Sequence, residues 1–362
     1  MNLWHPDTRV VAGGRPPRVP GSPVSPPIVP TSTYQADGPV GYARHGNPSV
    51  ADVEAVIGDL EGGRALTFSS GMAAAAAILD DLPLGTRVLT GEVTYNGVYQ
   101  RMGELAQRGI ITVQRTDLTA DPSDVLASLT GPVDLLWCET PSNPLVEVID
   151  VPALVAALRP VSALRVVVDS TLGGPLRQQP LTWGADVVLH SATKALAGHS
   201  DVLLGALIVP AGESGDATWA AISRRRVLSG GMPSPFDAWL TLRGMRTLAL
   251  RTDRMEQTAQ ILTARLRADP RVMRVRYPGF GSVLAIEPRT DGAGADALVN
   301  ALRLWWNATS LGGVESLAER RRRWPDEPAA VPEALIRLSV GIEHPADLWS
   351  DLDQALTVAV PR

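Results

Sequence analysis

The stretch Ala185-Asp186-Val187-Val188-Leu189-His190-Ser191-Ala192-Thr193-Lys194 decides how this chain is interpreted. Its first half is mostly apolar and β-branched, which is typical of a buried strand. Lys194 comes just after that strand, and ligands in open α/β sheets bind outside the carboxyl ends of the strands. The hydroxyls of Ser191 and Thr193 lie within three residues of the lysine. This position predicts a ligand site rather than a surface charge.

Lys194 is the single lysine among 33 basic residues. A guanidinium stays protonated in a protein, whereas a desolvated ammonium can lose its proton and attack a carbonyl to form an imine. Taken alone, one lysine is equally well explained as a stray exposed side chain. Its place beside hydroxyls at a strand end favours an imine-forming amine next to an anion.

The composition limits the classes of function. The chain has 362 residues, 45% hydrophobic and 20% charged, which predicts a globular protein long enough for two domains. A net charge of −5 argues against nucleic-acid or membrane-surface partners. The single cysteine, Cys138, precludes an intrachain disulfide and favours a cytoplasmic location. The histidines show no metal-ligand spacing, and no apolar run approaches the roughly 20 residues of a membrane span.

The pattern along the chain predicts three regions. Ten of the 30 prolines precede residue 49, which indicates an extended arm over 1–49. Strand-like and helix-like segments then alternate over 50–234, which predicts an α/β fold with a mainly parallel sheet covered by helices. A long helical stretch from Phe236 to about Ala268 leads into a smaller C-terminal α/β part, over 235–362.

An imine-forming lysine beside an anion site suggests pyridoxal phosphate, which is both an aldehyde and an anion. The other groups that this cofactor needs have candidates at strand ends. Gly71 and Met72 follow a strand and open a helix, so their N–H groups can meet a phosphate. Asp169 ends the predicted strand that begins at Arg165, and its carboxylate can keep the ring nitrogen protonated. Tyr95 can stack on the ring. In isolation the turn at Gly71 and Met72 is equally well explained as an ordinary capped helix start. A lone aspartate at a strand end is more often a turn residue, and a lone tyrosine usually serves packing.

Together the motifs resemble the pyridoxal-phosphate enzymes of cysteine and methionine metabolism, which include cystathionine γ-lyase, γ-synthase and β-lyase. The resemblance covers nearly the whole chain. Its motifs are Thr31-Ser32-Thr33-Tyr34, Tyr42-Ala43-Arg44, Ser70-Gly71-Met72-Ala73, Glu139-Thr140-Pro141-Ser142-Asn143-Pro144, Asp169-Ser170-Thr171, Ser191-Ala192-Thr193-Lys194, Ser234-Pro235-Phe236-Asp237-Ala238, Ser310-Leu311-Gly312-Gly313-Val314-Glu315-Ser316 and Arg337-Leu338-Ser339-Val340-Gly341.

The resemblance implies the fold-type-I, aspartate aminotransferase-like architecture, with a cofactor domain at 50–234 and a C-terminal domain at 235–362. It implies a homo-oligomer, expected to be a tetramer, in which the arm contacts the partner subunit and active sites are shared. Tyr42 and Arg44 would reach the phosphate of a neighbouring subunit's cofactor.

The resemblance also implies roles in the site. Lys194 would form the imine with the cofactor and then move protons, together with Tyr95 and Asp169 as catalytic residues. The remaining cofactor contacts would come from Gly71, Met72, Thr171, Ser191 and Thr193. Arg337 would bind the α-carboxylate of a small amino-acid substrate, helped by Asn143 and Ser310.

The implied reaction is that of a cystathionine γ-lyase-like enzyme, an α,γ-elimination that releases a thiol, a 2-oxo acid and ammonia. The alternatives are γ-replacement on an O-acylhomoserine, as in cystathionine γ-synthase, and cystathionine β-lyase activity. A cofactor-free Schiff-base aldolase and a non-catalytic binding protein remain as rivals from other classes.

Four positions depart from the family pattern. Thr309 stands where many γ-acting members carry a glutamate, Asn96 replaces a common glycine, and the loop before Gly279 is short. The segment from Glu319 to Trp324 replaces a histidine-containing stretch. We expect the short loop before Gly279 and the segment from Glu319 to Trp324 to lie near the rim of the active site.

Overall fold

The strand that precedes Lys194 lies inside a seven-stranded sheet in the computed structural model, which describes residues 4–360. The order is β1-β7-β6-β5-β4-β2-β3, and every strand except β7 runs in the same direction. These strands are β1 (Gly63–Phe68), β2 (Thr86–Gly91), β3 (Ile111–Thr116), β4 (Leu135–Glu139), β5 (Arg165–Asp169), β6 (Val187–Ser191) and β7 (Gly205–Pro210). The predicted mainly parallel sheet is confirmed.

A smaller second sheet follows in the chain, with the order β10-β11-β12-β9-β8. Its strands are β8 (Val272–Arg276), β9 (Val283–Pro288), β10 (Trp306–Asn307), β11 (Leu317–Arg320) and β12 (Ile336–Ser339). Only β10 and β11 pair in parallel. A core of its own lies between this sheet and the helices around it. The predicted smaller α/β part is therefore present.

Helices cover both sheets. They are α1 (Pro6–Ala12), α2 (Pro48–Glu61), α3 (Gly71–Leu79), α4 (Asn96–Gln107), α5 (Pro122–Ala127), α6 (Val151–Leu158), α7 (Glu213–Ser229), α8 (Pro235–Met245), α9 (Leu248–Ala268), α10 (Gly292–Ala301) and α11 (Pro345–Ala359). Within residues 4–360, no helix is both long and apolar enough to cross a membrane.

The long helical stretch predicted from Phe236 is present, but it is not continuous: it consists of two helices, α8 and α9. Arg246 and Thr247 lie between them and belong to neither helix. At the break the Arg251 guanidinium donates to the carbonyl of Gly244 at 2.9 Å and to that of Ala195 at 2.8 Å. A buried side chain thus satisfies backbone oxygens there, and the same contact ties α9 to the segment after Lys194.

The proline-rich arm is not extended throughout. Its first part forms α1, which begins with Pro6 after a side-chain cap from His5. Val10 on this helix is fully buried and joins the core that contains α2. An apolar contact with the body of the same chain therefore orders this part of the arm, whereas residues 13–47 contain no helix and only the isolated bridge between Thr33 and Tyr42.

The carboxyl ends of three adjacent strands bring polar residues together. Glu139 ends β4, Asp169 ends β5 and lies opposite it, and Ser191 ends β6. Gly205 on β7 packs directly against the turn that opens α3, since a Cβ at 205 would lie 2.2 Å from the carbonyl oxygen of Ser70. The sheet thereby fixes the Ser70-Gly71 turn beside the strand ends.

We expect Gly205→Ala to lower the free energy of unfolding by about 2–3 kcal/mol, because the added methyl must displace backbone rather than a flexible side chain. Gly103→Ala is the matched control: its Cβ would meet nothing within 4 Å, and alanine is the better helix former. Calorimetric melting of both variants checks this. Equal melting temperatures for the two would contradict the close packing of β7 on the turn.

Candidate active site

A cavity of about 460 Å³ lies where the carboxyl ends of the large sheet face β11 and β12. Eleven residues predicted from the sequence line it: Gly71, Met72, Tyr95, Asn143, Asp169, Thr171, Ser191, Thr193, Lys194, Ser310 and Arg337. Tyr42 and Arg44 do not. The structure thus brings residues spread over more than 260 positions of the chain into one site.

Lys194 is placed by the turn after β6, with its side chain largely buried. Its Nζ donates to the Ser310 hydroxyl at 3.0 Å. Burial lowers the pKa of this amine to about 8, helped by the charges of Arg337 and Arg321 and opposed by Glu319. A substantial neutral fraction at mild pH follows, which is the form that attacks an aldehyde.

The opening of α3 forms a cradle for a phosphate. Ser70 caps the helix by accepting from the Ala73 N–H at 3.0 Å. Gly71 lies so close to Ser191 that a Cβ would come within 2.9 Å of its side chain. The N-terminal N–H groups and the helix dipole therefore meet a serine hydroxyl without an intervening side chain, which suits an anion.

The Thr193 hydroxyl lines the same cavity but also bonds the backbone of Leu204. It accepts from the Leu204 N–H at 2.9 Å and donates to the Leu204 carbonyl at 3.2 Å. These contacts hold the turn before Lys194. To donate to an anion, this hydroxyl would have to leave the Leu204 carbonyl.

Asp169 is buried, and only one of its carboxylate oxygens is used. Oδ1 accepts from the Thr171 N–H at 3.0 Å and the Thr171 hydroxyl at 2.6 Å. Oδ2 accepts no hydrogen bond from any of residues 4–360. Burial raises the Asp169 pKa, with Thr171 and His190 opposing. An anion with a free oxygen in a cavity fits a protonated ring nitrogen, so the residues present suit pyridoxal phosphate.

Glu139 is a site residue that the sequence reasoning did not single out. It accepts from the Thr94 hydroxyl at 2.9 Å and from the Tyr95 N–H at 2.5 Å, and so holds the start of α4. Burial and the neighbouring Asp169 raise the Glu139 pKa well above its usual range. Its position at the end of β4, next to the strand that ends in Asp169, was the available signal.

Tyr95 projects into the cavity with a partly exposed ring. Its neighbour Gly97 lets α4 approach closely, because a Cβ there would lie 2.7 Å from the sulfur of Met72 and 3.0 Å from the Tyr95 ring. Burial raises the Tyr95 pKa, and the charge of Arg321 opposes this most strongly. The Tyr95 phenol therefore stays protonated where it lines the cavity.

Arg337 is buried on β12 and held on three sides. It donates to Asn143 Oδ1 at 2.7 Å, to the Ser310 carbonyl at 3.0 Å and to Glu319 Oε2 at 2.9 Å. Fixed contacts of this kind hold the guanidinium in one orientation toward an incoming carboxylate.

The segment from Glu319 to Trp324 does more than line the rim, and sequence reasoning did not assign its residues. Glu319 is buried at 1% exposure and accepts hydrogen bonds from Arg337, Arg321, Arg323, Thr309 and Trp324. The arginines hold the Glu319 pKa down at about 2 against burial. Arg321 and Trp324 face the cavity. By itself the run from Arg320 to Arg323 is best explained as a solvated local patch, because acidic residues flank it in the sequence, so it gave no signal of these contacts.

Tyr42 and Arg44 lie outside the cavity, on an exposed part of the arm. The Arg44 guanidinium stacks over the Tyr42 ring at 4.6 Å. The bridge between Thr33 and Tyr42 holds this part of the arm as a narrow loop. One chain by itself therefore does not bring these two residues to Lys194.

Comparison with known proteins identifies the family. The family model described as Cys/Met metabolism PLP-dependent enzyme matches residues 7–357, and the chain belongs to that family. It is 39% identical to cystathionine gamma-synthase of Mycobacterium tuberculosis, with 97% of this chain and 96% of the relative covered. It is 35% identical to cystathionine beta-lyase of Lactococcus lactis, with coverages of 96% and 98%.

Among solved structures, the chain resembles a methionine gamma lyase from Micromonospora echinospora with a TM-score of 0.90. The two are 38% identical, and 98% of this chain and 100% of the other are covered. The protein is therefore a pyridoxal-phosphate-dependent enzyme of sulfur amino-acid metabolism that acts on small amino-acid substrates. The relatives differ in the reaction that their names describe.

The lowered pKa of Lys194 predicts how cofactor incorporation depends on pH. We expect the rate at which cofactor-free protein takes up pyridoxal phosphate to rise with pH and level off above about pH 8, because only the neutral amine reacts and its pKa is about 8 instead of 10.5. Stopped-flow measurement of the visible absorption band checks this.

Arg337→Gln removes one cation that lowers the Lys194 pKa and should move the levelling-off to higher pH. Arg322→Gln, in a residue that does not line the cavity, is the control and should leave it in place. A wild-type rate that still rises tenfold per pH unit between pH 9 and 10 would contradict the predicted pKa.

Proposed function

We propose that this enzyme is a lyase that carries out α,γ-elimination on an amino acid with a sulfur or oxygen leaving group at Cγ, releasing that group, a 2-oxo acid and ammonia with uptake of one water. The single observation that carries this is the amine of Lys194, whose pKa is near neutral, in one cavity with Arg337 and Tyr95. Likeness to a methionine gamma lyase over the full length of both chains supports it.

When bound, pyridoxal phosphate supplies an aldehyde for an amino group and a ring that accepts the electron pair left by loss of the Cα proton. The residues that would hold it are Gly71, Met72, Ser191 and Thr193 at the phosphate, and Asp169, positioned by Thr171, at the ring nitrogen. Tyr95 would lie on the ring face. The free oxygen of Asp169 supports this orientation.

Arg337 would bind the substrate carboxylate, with Asn143 and Ser310 shaping its surroundings. The hydrogen bonds that Arg337 donates to Asn143 and Glu319 fix the orientation of the guanidinium plane. Because Ser310 touches both Arg337, through its carbonyl, and Lys194, through its hydroxyl, the carboxylate site is coupled to the amine. A bound amino acid is thus held with its Cα near Lys194.

Lys194 would take the proton from Cα, deliver it to C4′ of the cofactor and, as a neutral amine again, take a proton from Cβ, since a γ-substituent leaves only when a carbanion can form at Cβ. Its lowered pKa suits both directions of proton transfer near neutral pH. Tyr95, kept protonated by burial, can give its proton to the heteroatom that departs with the electron pair of the bond to Cγ.

A second candidate is γ-replacement, in which a thiol adds where the first group left. The 39% identity to a cystathionine gamma-synthase favours it. Both reactions use the same residues until the leaving group has departed, and they differ in whether water or a thiol completes the turnover. Cystathionine β-lyase activity, in which the leaving group is on Cβ, is a third possibility supported by the Lactococcus relative.

We also propose that the active site is shared between two copies of the chain, as part of a homo-oligomer. Cations that line the cavity within one described chain are Lys194, Arg321 and Arg337, and the last two lie at the substrate end. A phosphate dianion at Gly71 therefore lacks a guanidinium from its own chain. Arg44, exposed on the arm at 1–49 and stacked on Tyr42, supplies one when it comes from the partner.

The product test separates the candidate reactions. Incubation with cystathionine and with O-acetyl-L-homoserine should yield 2-oxobutanoate and ammonia, measured by coupled assay, and added cysteine should not reduce the 2-oxobutanoate yield from the latter. Conversion of O-acetylhomoserine plus cysteine into cystathionine would establish γ-replacement instead. Pyruvate from cystathionine would establish β-lyase activity.

The shared site predicts that two inactive variants restore each other. Arg44→Ala and Lys194→Ala should each be inactive, but after reassortment one site of every mixed dimer carries neither change. A 1:1 mixture should then regain about a quarter of wild-type activity. Arg18→Ala is the matched control and should stay active, because Arg18 is an exposed arm residue whose side chain makes no hydrogen bond or ion pair within residues 4–360. Verified subunit exchange without any recovery would place Arg44 outside the partner's site.

A further inference from the structure

A second buried guanidinium lies in the active-site wall, and neither the α-carboxylate nor the cofactor has a use for it. Arg321 begins the 3-10 turn Arg321–Arg323 directly after β11 and is only 5% exposed. It lines the cavity together with Lys194, Tyr95 and Trp324. Burying an arginine here is costly unless its donors are used.

The donors of Arg321 are only partly satisfied. One is given to Glu319 at 2.7 Å and one to Glu327 at 2.9 Å, out of the five N–H groups of a guanidinium. Its Nε is buried and has no partner among residues 4–360. Nη1 and Nη2 each keep one further N–H that no residue within 4–360 accepts, and an unused donor on a cation that lines a cavity is suited to a ligand acceptor.

The position of Arg321 is distinct from that of Arg337. Both donate to the same oxygen of Glu319, so the two guanidinium groups flank one carboxylate atom. Arg337 also bonds Asn143 and Ser310, and Ser310 in turn bonds Lys194. Arg321 instead bonds Glu327, so within the cavity wall it is the guanidinium that is not bonded to the residues around the lysine.

The local charge at this end of the cavity is positive. Three guanidinium groups, on Arg321, Arg323 and Arg337, face two carboxylates, Glu319 and Glu327. Glu319 already accepts five hydrogen bonds and has no lone pair to offer an ammonium group.

No acidic side chain of residues 4–360 lines the cavity at the substrate end. Within the described chain, the carboxylates that line the cavity are Glu139 and Asp169, at the ring-nitrogen end. At position 309, where many γ-acting family members carry a glutamate, this chain has a threonine. Its hydroxyl donates to Glu319, so this position adds no negative charge.

We propose that Arg321 is a specificity-determining residue that binds a negatively charged group at the far end of the substrate's γ-substituent. The inference rests on the proposed function, because it assumes that Arg337 holds the α-carboxylate. The ligand class is an amino acid whose leaving group ends in a carboxylate or a phosphate. A leaving group that ends only in an ammonium is disfavoured. Trp324 presents an apolar surface beside Arg321 to the linking carbons.

Three homoserine esters test this with one amino-acid skeleton. O-succinyl-L-homoserine ends in a carboxylate, O-phospho-L-homoserine in a phosphate and O-acetyl-L-homoserine in a neutral methyl. We expect kcat/KM for 2-oxobutanoate formation by the wild-type holoenzyme to be highest for one of the two anionic esters. The anionic ester with the higher kcat/KM shows whether Arg321 prefers a carboxylate or a phosphate. Equal values for all three esters would overturn the proposal.

Arg321→Gln should lower the ratio of kcat/KM for the preferred anionic ester to kcat/KM for the acetyl ester by about 10- to 100-fold, because only the anionic ester loses a charge-assisted contact, whereas any change at Lys194 affects both esters. Arg321→Lys should retain part of the preference. Arg322→Gln, in the same turn but bonded to the carbonyls of Pro328 and Val331, is the matched control and should retain all of it.

Removing Arg321 leaves Glu327 buried without its cation, so Arg321→Gln combined with Glu327→Gln keeps the test valid if the single variant folds poorly. An anion preference that survives in both variants would overturn the proposal. Dissociation constants for the same esters, titrated through the cofactor absorbance, test Arg321 even when no 2-oxobutanoate forms. If no 2-oxobutanoate forms, the proposed elimination is wrong, but the dissociation constants still show whether Arg321 binds the anionic esters more tightly.

Discussion

A buried amine beside two guanidinium groups cannot readily hold its own proton, and the rest of the site depends on that constraint. Burial and the charges of Arg337 and Arg321 act in the same direction on Lys194. Glu319 keeps these charges from destabilising the fold, because its buried carboxylate bridges both arginines. A lysine in this field is a nucleophile and a proton carrier rather than an ion-pair partner.

The same arrangement gives the cavity two electrically different ends. Asp169, at the end of β5 beside the Glu139 carboxyl group at the end of β4, stands at one end, and the arginines around Glu319 stand at the other. Lys194 lies between them, bonded to Ser310. An amino acid entering this field is oriented by its own carboxylate, and a cationic ring nitrogen is drawn to the opposite end. Orientation is thus built into the electrostatics of two sheets that meet.

The sequence could predict those features that depend on strand ends. Lys194 and Asp169 each follow a short β-branched run, and the parallel sheet then brings their ends together. Glu319 and Arg321 could not be predicted in this way, because their roles arise from pairing between β11, β12 and a turn whose letters resemble a solvated basic patch. The start of the arm was misread for a related reason: prolines indicated extension, but burial of Val10 against the body of the chain forms α1. Tertiary contacts decided both cases.

The central claim is that one amine, that of Lys194, carries the chemistry, and reduction of the holoenzyme with borohydride tests it most directly. Because the chain has no other ε-amino group, reduction should fix one cofactor mass per chain on the peptide that contains residue 194. Mass spectrometry of the digested protein, with Lys194→Arg as the unlabelled control, reads this out. A label on the N-terminal amine, or a chain left unlabelled despite bound cofactor, would contradict the account.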